Sequence, residues 1–192
     1  MIPRLLVLAA MIPFLGTASA STAEAEKRLK TAVDEVLTIA DHASNNSGLI
    51  ESLRPVLHKY LSFSAMTRRA VGPGWRQFTL DQQKKAIDLF TILIIRTYSS
   101  KFTPGEHPEI TFKSATEAEP GRVEIPTTLL YKGSHYSVTY RLEEAEGWRV
   151  TDVVIEGVSM VANYRSQFDS EFKKGGADAV VGALSQSVEH PK

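Results

Sequence analysis

The chain contains no cysteine. That excludes a disulfide framework, a thiolate nucleophile and any cysteine-bound metal. An excess of either charge is missing too, since 22 Lys and Arg balance 22 Asp and Glu. No basic stripe of the kind that tracks nucleic-acid phosphates runs along the chain, which argues against a nucleic-acid partner. Apolar runs are short except near the start, where Leu5 to Gly16 follow Arg4 and precede Ala18-Ser19-Ala20. That stretch falls below the roughly 20 residues needed to span a bilayer. With its A-x-A ending it reads as an export signal over 1–20, cleaved before Ser21, although an uncleaved anchor is the alternative. Residues 21–192 are then one exported, soluble domain, long enough for a core that holds without disulfides.

Within that domain the apolar pattern is first helical and then alternating. Ser21 and Thr22 offer an N-cap to a helix whose stripe is Ala25, Leu29, Val33, Val36, Leu37 and Ala40. The polar cluster Ser44 to Gly48 ends it. A second short helix is expected from about Leu49, with Pro55 breaking or kinking it. Phe63 to Val71 reads as a third, stopped by Gly72-Pro73-Gly74. Thr79 and Gln82 stand as N-cap and N3 of a capping box, opening a helix to about Phe102. Strands follow around Ile110 and Phe112, over Val123 to Leu129, over Tyr136 to Leu142, and from Trp148 to about Val158, with Lys132-Gly133-Ser134 as a hairpin turn. Ser159 caps a helix expected to stop at Gly175-Gly176, and a short helix from Asp178 to about Leu184 precedes a frayed tail. The order predicts an α+β fold, an antiparallel meander with helices on one face.

Motifs for chemistry are as sparse as cysteine. His42, His58, His107, His135 and His190 are too scattered in sequence for a local metal site, and no HExxH or EF-hand loop appears. There is no G-x-S-x-G and no P-loop, so neither a serine nucleophile nor a phosphate cradle is signalled. The best enzymatic candidates are Asp152 and Glu156, expected on the same strand face as Trp148, Val150 and Val154. A carboxylate on an apolar face can act as a base with a raised pKa, here with Tyr140. The alternative is that Asp152 pairs with Arg141 or Arg149. The pairs Arg68-Arg69, Lys84-Lys85 and Lys173-Lys174 suit an anionic headgroup or acidic partner, and equally a solvated helix face.

Two stretches go beyond pattern. The first runs from Phe63 through Met66-Thr67-Arg68-Arg69 and Gly72-Pro73-Gly74-Trp75 to Gln83, on to Phe90 and Arg96-Thr97-Tyr98. The second is Gly147-Trp148-Arg149-Val150-Thr151-Asp152, Val153 to Ser159, then Asn163-Tyr164-Arg165-Ser166-Gln167-Phe168, with Gly175-Gly176 beyond. Together they resemble the MlaC family of toluene-tolerance auxiliary components of ABC transporters, and the similar hopanoid-associated HpnM proteins. The departures are Thr67-Arg68-Arg69, where a single arginine is commoner, and Thr151, where an aromatic is common.

The resemblance implies a periplasmic phospholipid-binding protein without cofactor, metal or catalytic residue. It would move lipid between an outer-membrane lipoprotein complex and an inner-membrane ABC transporter with an MCE-domain subunit. It also implies a strongly twisted four-stranded antiparallel sheet covered by five to six helices, with acyl tails in a hydrophobic cavity between them. Positions expected to line that cavity are Trp75, Phe90, Leu93, Tyr98, Ile125, Leu129, Val138, Tyr140, Val150, Val154 and Phe168. Arg96 and Arg165 are the candidates for partner docking. Two acyl chains of about 15 carbons cost on the order of 20 kcal/mol to expose to water, so such a carrier needs a deep enclosure. A cavity isomerase or hydrolase, and a carrier of a hopanoid-like lipid, remain the alternatives.

Overall fold

The computed structural model describes residues 17–190 except 102, 104 and 107, and for 17–20 the backbone alone. The export signal read over 1–20 therefore lies outside the described residues, apart from that short backbone. Helix α1 spans Thr17–His42 and α2 spans Asn46–Tyr60. Ser21 and Thr22 lie inside α1, not at its cap. Asn45 caps α2, its side chain accepting from the Gly48 N–H at 2.8 Å. Pro55 does not end α2 as expected. Both Pro55 and Glu51, whose carbonyl loses its i+4 donor, are exposed residues, and burial of Leu49, Leu53 and Tyr60 holds the rest of the helix.

Helix α3 occupies Phe63–Val71, as its pattern predicts, and a 3₁₀ turn over Gly72–Gln77 follows. The capping box then starts α4, Leu80–Ser99. Gln82 N–H donates to Thr79 Oγ1 at 3.2 Å, and Thr79 N–H donates to Gln82 Oε1 at 2.8 Å. The expected helix end at Phe102 lies outside the described residues. Helix α5 runs Met160–Glu189, capped by Ser159, which accepts from Ala162 N–H at 3.0 Å. Its backbone leaves helical values at Gly175 and Gly176, the expected break. Beyond it the chain is helical to Glu189 instead of fraying from Ser185, because Val180, Val181 and Leu184 are buried.

The sheet is antiparallel and has six strands, not four: β1 Glu109–Phe112, β2 Thr116–Glu119, β3 Arg122–Tyr131, β4 Ser134–Ala145, β5 Gly147–Ile155 and β6 Val158–Ser159. The surplus comes from two short pieces. Strands β1 and β2 pair with successive halves of β3, so one edge is a broken strand. The two-residue β6 hooks back onto the end of β5. Strands β3 and β4 meet at the expected turn, Lys132-Gly133, both with positive φ.

A β-bulge decides which residues of β5 face inward. Leu142 pairs with Val150 but Arg141 pairs with Asp152, leaving Thr151 extra. The alternation therefore reverses, and Val153 and Ile155 join the face of Tyr140 and Val138 while Asp152 and Val154 turn to the other. This corrects the expectation that Asp152, Glu156 and Val154 share the face of Trp148 and Val150.

The helices do not form a single layer on one face. Ala25, Leu29 and Val33 of α1 pack on Val123, Ile125, Leu142, Trp148 and Val150 of the sheet. Helices α3, α4 and α5 instead build a second cluster with one another. Leu61 and Val153 pack against both. Leu61 also bridges to Val150, and Ser62 N–H donates to Val150 carbonyl at 2.9 Å, tying the α2–α3 joint to β5.

Candidate functional site

The residues expected to line one cavity divide between these two clusters. Phe90 and Phe168 are core-filling in the helical cluster, with Phe90 ring centroids 5.0 Å from Tyr164 and 5.7 Å from Phe168 in edge-on contacts. Ile125 and Val150 are likewise closed in beneath α1. Leu93 and Tyr98 of α4 flank the helical cluster and keep accessible surface. On the sheet, Tyr140 flanks the α1 cluster, Val138 is buried and Leu129 is half-buried, all on one face. Val154 leaves the set, since it sits opposite Thr139 on the other face. Trp75 packs beside the helical cluster, and it also lines a cleft of about 300 Å³ with Ser62, Ser64, Arg68, Glu143 and Arg149. Val153 and Ile155 share the face of Tyr140 and Val138, and Leu61 packs against both clusters; none of the three is among the positions expected to line the cavity. Val153-Val154-Ile155 is continuously apolar, so either parity satisfied the pattern, and no glycine marks the bulge.

Among the inward residues Tyr140 combines depth with access. Burial pushes its phenol up to about 12, yet the side chain is only half-buried. Its cross-strand neighbours are Ile125 and Val153. The hydroxyl has no hydrogen-bond partner among the described residues. Tyr98 is raised by burial and then by the nearby Tyr164 and Asp152, and Tyr164 by burial against an opposing hydrogen bond with Thr97.

Asp152 is a structural carboxylate. Its Oδ2 accepts from Ser159 Oγ at 2.6 Å and Arg141 Nη1 at 3.1 Å, and its Oδ1 from the N–H groups of Val153 at 2.9 Å and Val161 at 3.1 Å. It fastens β5 to the start of α5. Glu156 has positive φ in the exposed turn after β5, where its carboxylate accepts from Ser137 N–H. Neither carboxylate shares the Tyr140 face, so the expected grouping of Asp152 or Glu156 with Tyr140 is not assembled. Among the described residues no three metal-ligating side chains converge.

The two docking candidates are partly engaged. Arg96 is exposed on α4 and donates to Val188 carbonyl at 2.8 Å. Arg165 donates to Arg69 carbonyl at 3.2 Å and lies against Gly72, where a Cβ would fall 2.2 Å from its Cζ. The tip of that flexible side chain could move aside, but φ +69 and ψ −141 at Gly72 are a backbone conformation nearly confined to glycine. No described helix is long and apolar enough to cross a membrane.

A family model described as MlaC protein matches residues 30–186. In three dimensions the chain is similar to a phospholipid-binding protein from Ralstonia solanacearum solved in complex with a phospholipid. The TM-score is 0.80 and identity 27%, covering 86% of this chain and 97% of that one. No curated protein matches the chain.

Proposed function

Because the chain belongs to the MlaC family, we propose that it is a periplasmic carrier that encloses the acyl tails of a phospholipid between its two apolar clusters. It takes its lipid across the aqueous gap between an outer-membrane lipoprotein complex and an inner-membrane ABC transporter with an MCE-domain subunit. The observation that carries this reading is the inner surface itself. Leu93 and Tyr98 from the helices, and Leu129, Tyr140, Val153 and Ile155 from the sheet, are apolar or aromatic yet incompletely buried. A protein gives up about 25 cal/mol for each Å² of apolar surface left unburied, so such a surface is expected where a ligand completes the core. Exposing two acyl tails costs on the order of 20 kcal/mol, which a deep hollow offsets and a shallow groove does not. The phospholipid complex of the Ralstonia protein supports the same cargo class.

The direct test is to purify the exported domain, extract it with organic solvent and identify what is released by mass spectrometry. A phospholipid bound at near one per chain is expected. A chain that emerges empty and takes up no phospholipid from vesicles ends the proposal. Arg96 is the cleaner docking candidate because Arg165 also staples α5 to Gly72. Undiminished lipid transfer to the transporter after Arg96→Glu would remove it.

A further inference from the structure

A phenol without a protein partner on an apolar surface needs an acceptor once a ligand covers it. Tyr140 stands on the inner face of β4 between Ile125 and Val153, and its hydroxyl is unpaired among the described residues. Trp148 Nε1 on the same face is a second orphan donor, but it is sealed, with Trp148 2% exposed in the α1 cluster. Tyr140 retains accessible surface, so a ligand can reach it. The hydroxyl is open to solvent, and a ligand that covers this face displaces its water and must replace that hydrogen bond.

Resting on the carrier reading above, we propose that the Tyr140 hydroxyl donates a hydrogen bond to an ester carbonyl of the bound lipid, so that the site selects acyl-ester glycerolipids. Three chemistries compete for that donor. A phosphate oxygen would bring its charge onto an apolar face between Ile125 and Val153, at a desolvation cost, while the headgroup can stay in water. A polycyclic hydrocarbon offers no acceptor among its rings. The ester carbonyl lies where tails begin, neutral and buried with them, and is the acceptor that matches the donor in both charge and depth.

The test offers the purified full-length exported protein equimolar vesicles of diacyl and dialkyl-ether phosphatidylethanolamine with identical chain lengths. The two lipids share headgroup and tails and differ in the carbonyl. Wild type is expected to retain the ester lipid about five- to tenfold over the ether, the worth of one neutral hydrogen bond. Tyr140→Phe should bring that ratio near one while total lipid stays bound. A spectroscopic arm does not depend on any variant: ¹³C-carbonyl lipid bound to wild type should show its ester stretch at lower frequency than in vesicles. An unchanged ratio in Tyr140→Phe, no preference in wild type, or an unshifted carbonyl each overturns the assignment while lipid is still carried. If wild type captures neither lipid, the carrier reading falls with it, and the two failures are told apart by the total bound.

Discussion

Replacing Asp152 by asparagine separates a structural carboxylate from a catalytic one. The change keeps shape and leaves one oxygen to accept from Val153 and Val161, at 2.9 and 3.1 Å in wild type. The new amide NH₂ then faces the Arg141 guanidinium, which now donates at 3.1 Å to Oδ2 and also to Glu124 at 2.8 Å. Donor opposes donor, and the charge that held both Arg141 and Ser159 is gone. A hydrogen bond to a charged group contributes about 1.5–3 kcal/mol. The Arg141 side chain is 46% exposed and keeps Glu124, so solvent screening brings the expected loss to about 2 kcal/mol. For a domain of this length that lowers Tm by about 4–8 °C, readable by circular dichroism. Asp152→Ala also strands the buried Val161 N–H and should cost more, about 3 kcal/mol. Bound lipid should be unchanged in the asparagine variant below its Tm. Wild-type stability in Asp152→Asn would refute the cross-link, and loss of a chemical turnover in it would revive the enzyme alternative.

Three further outcomes are expected. Gly72→Ala places a Cβ against Arg165 in a backbone region that is nearly glycine-only, and should lose about 2–3 kcal/mol in urea denaturation. Adding Arg165→Ala should recover the steric part alone, and full recovery would show that the backbone is unstrained. Val138→Arg and Leu93→Asp, each shown by circular dichroism to be folded, should reduce co-purified lipid at least about tenfold, since a bare charge is intolerable beside tails. Retained lipid in both would move the hollow elsewhere. Burial raises the Tyr140 phenol from 10.0 to about 12, so the fold holds a proton that the unfolded chain releases. Its stabilisation is complete below about pH 10 and is lost as pH rises toward 12. Tyr140→Phe should flatten that alkaline loss in part, Tyr98 and Tyr164 contributing the rest in the same direction. An equally steep loss in the variant would show that Tyr140 is not buried.

What the sequence announces is chemistry that acts within one turn. The Thr79–Gln82 box, the Ser159 cap, the span of α3 and the Lys132-Gly133 hairpin all stand where their residues place them. Each is settled by neighbours three or four positions away. The misreadings are settled at longer range. Pro55 stays helical because its exposed side leaves the cost small and buried Leu49, Leu53 and Tyr60 outweigh it. Strand β2 is short and polar, and exists because the edge of β3 is there to pair with. The bulge at Thr151 turns Asp152 toward Arg141 and the start of α5, and with it Val154 leaves the inner face. Tyr140 and Val138 share one sheet face, as alternation predicts, whereas the core packing of Phe90 and Phe168 is set by ring contacts between distant helices.

The two apolar clusters are held by polar contacts at their margins. Disulfides are impossible without cysteine. Instead, the helical cluster is fastened from outside: Arg165 grips Arg69 and Gly72, Asp152 holds the first turn of α5, and Gln82 Nε2 donates to Asp178 at 2.7 Å across the start of α4. On the other side Lys59 Nζ and Tyr60 hydroxyl both donate to Glu35, at 2.7 and 2.6 Å, clamping α2 to α1. Polar contacts also join the helical cluster to the sheet, since Asp152 belongs to β5 and Arg69 of α3 pairs with Glu143 of β4. The apolar residues shared by the two clusters are Leu61 and Val153, beside the joint where Ser62 is pinned to β5. Separating the clusters would therefore break charged contacts as well as apolar ones, and a substitution at Asp152 or Glu143 is expected to loosen the helical cluster from the sheet.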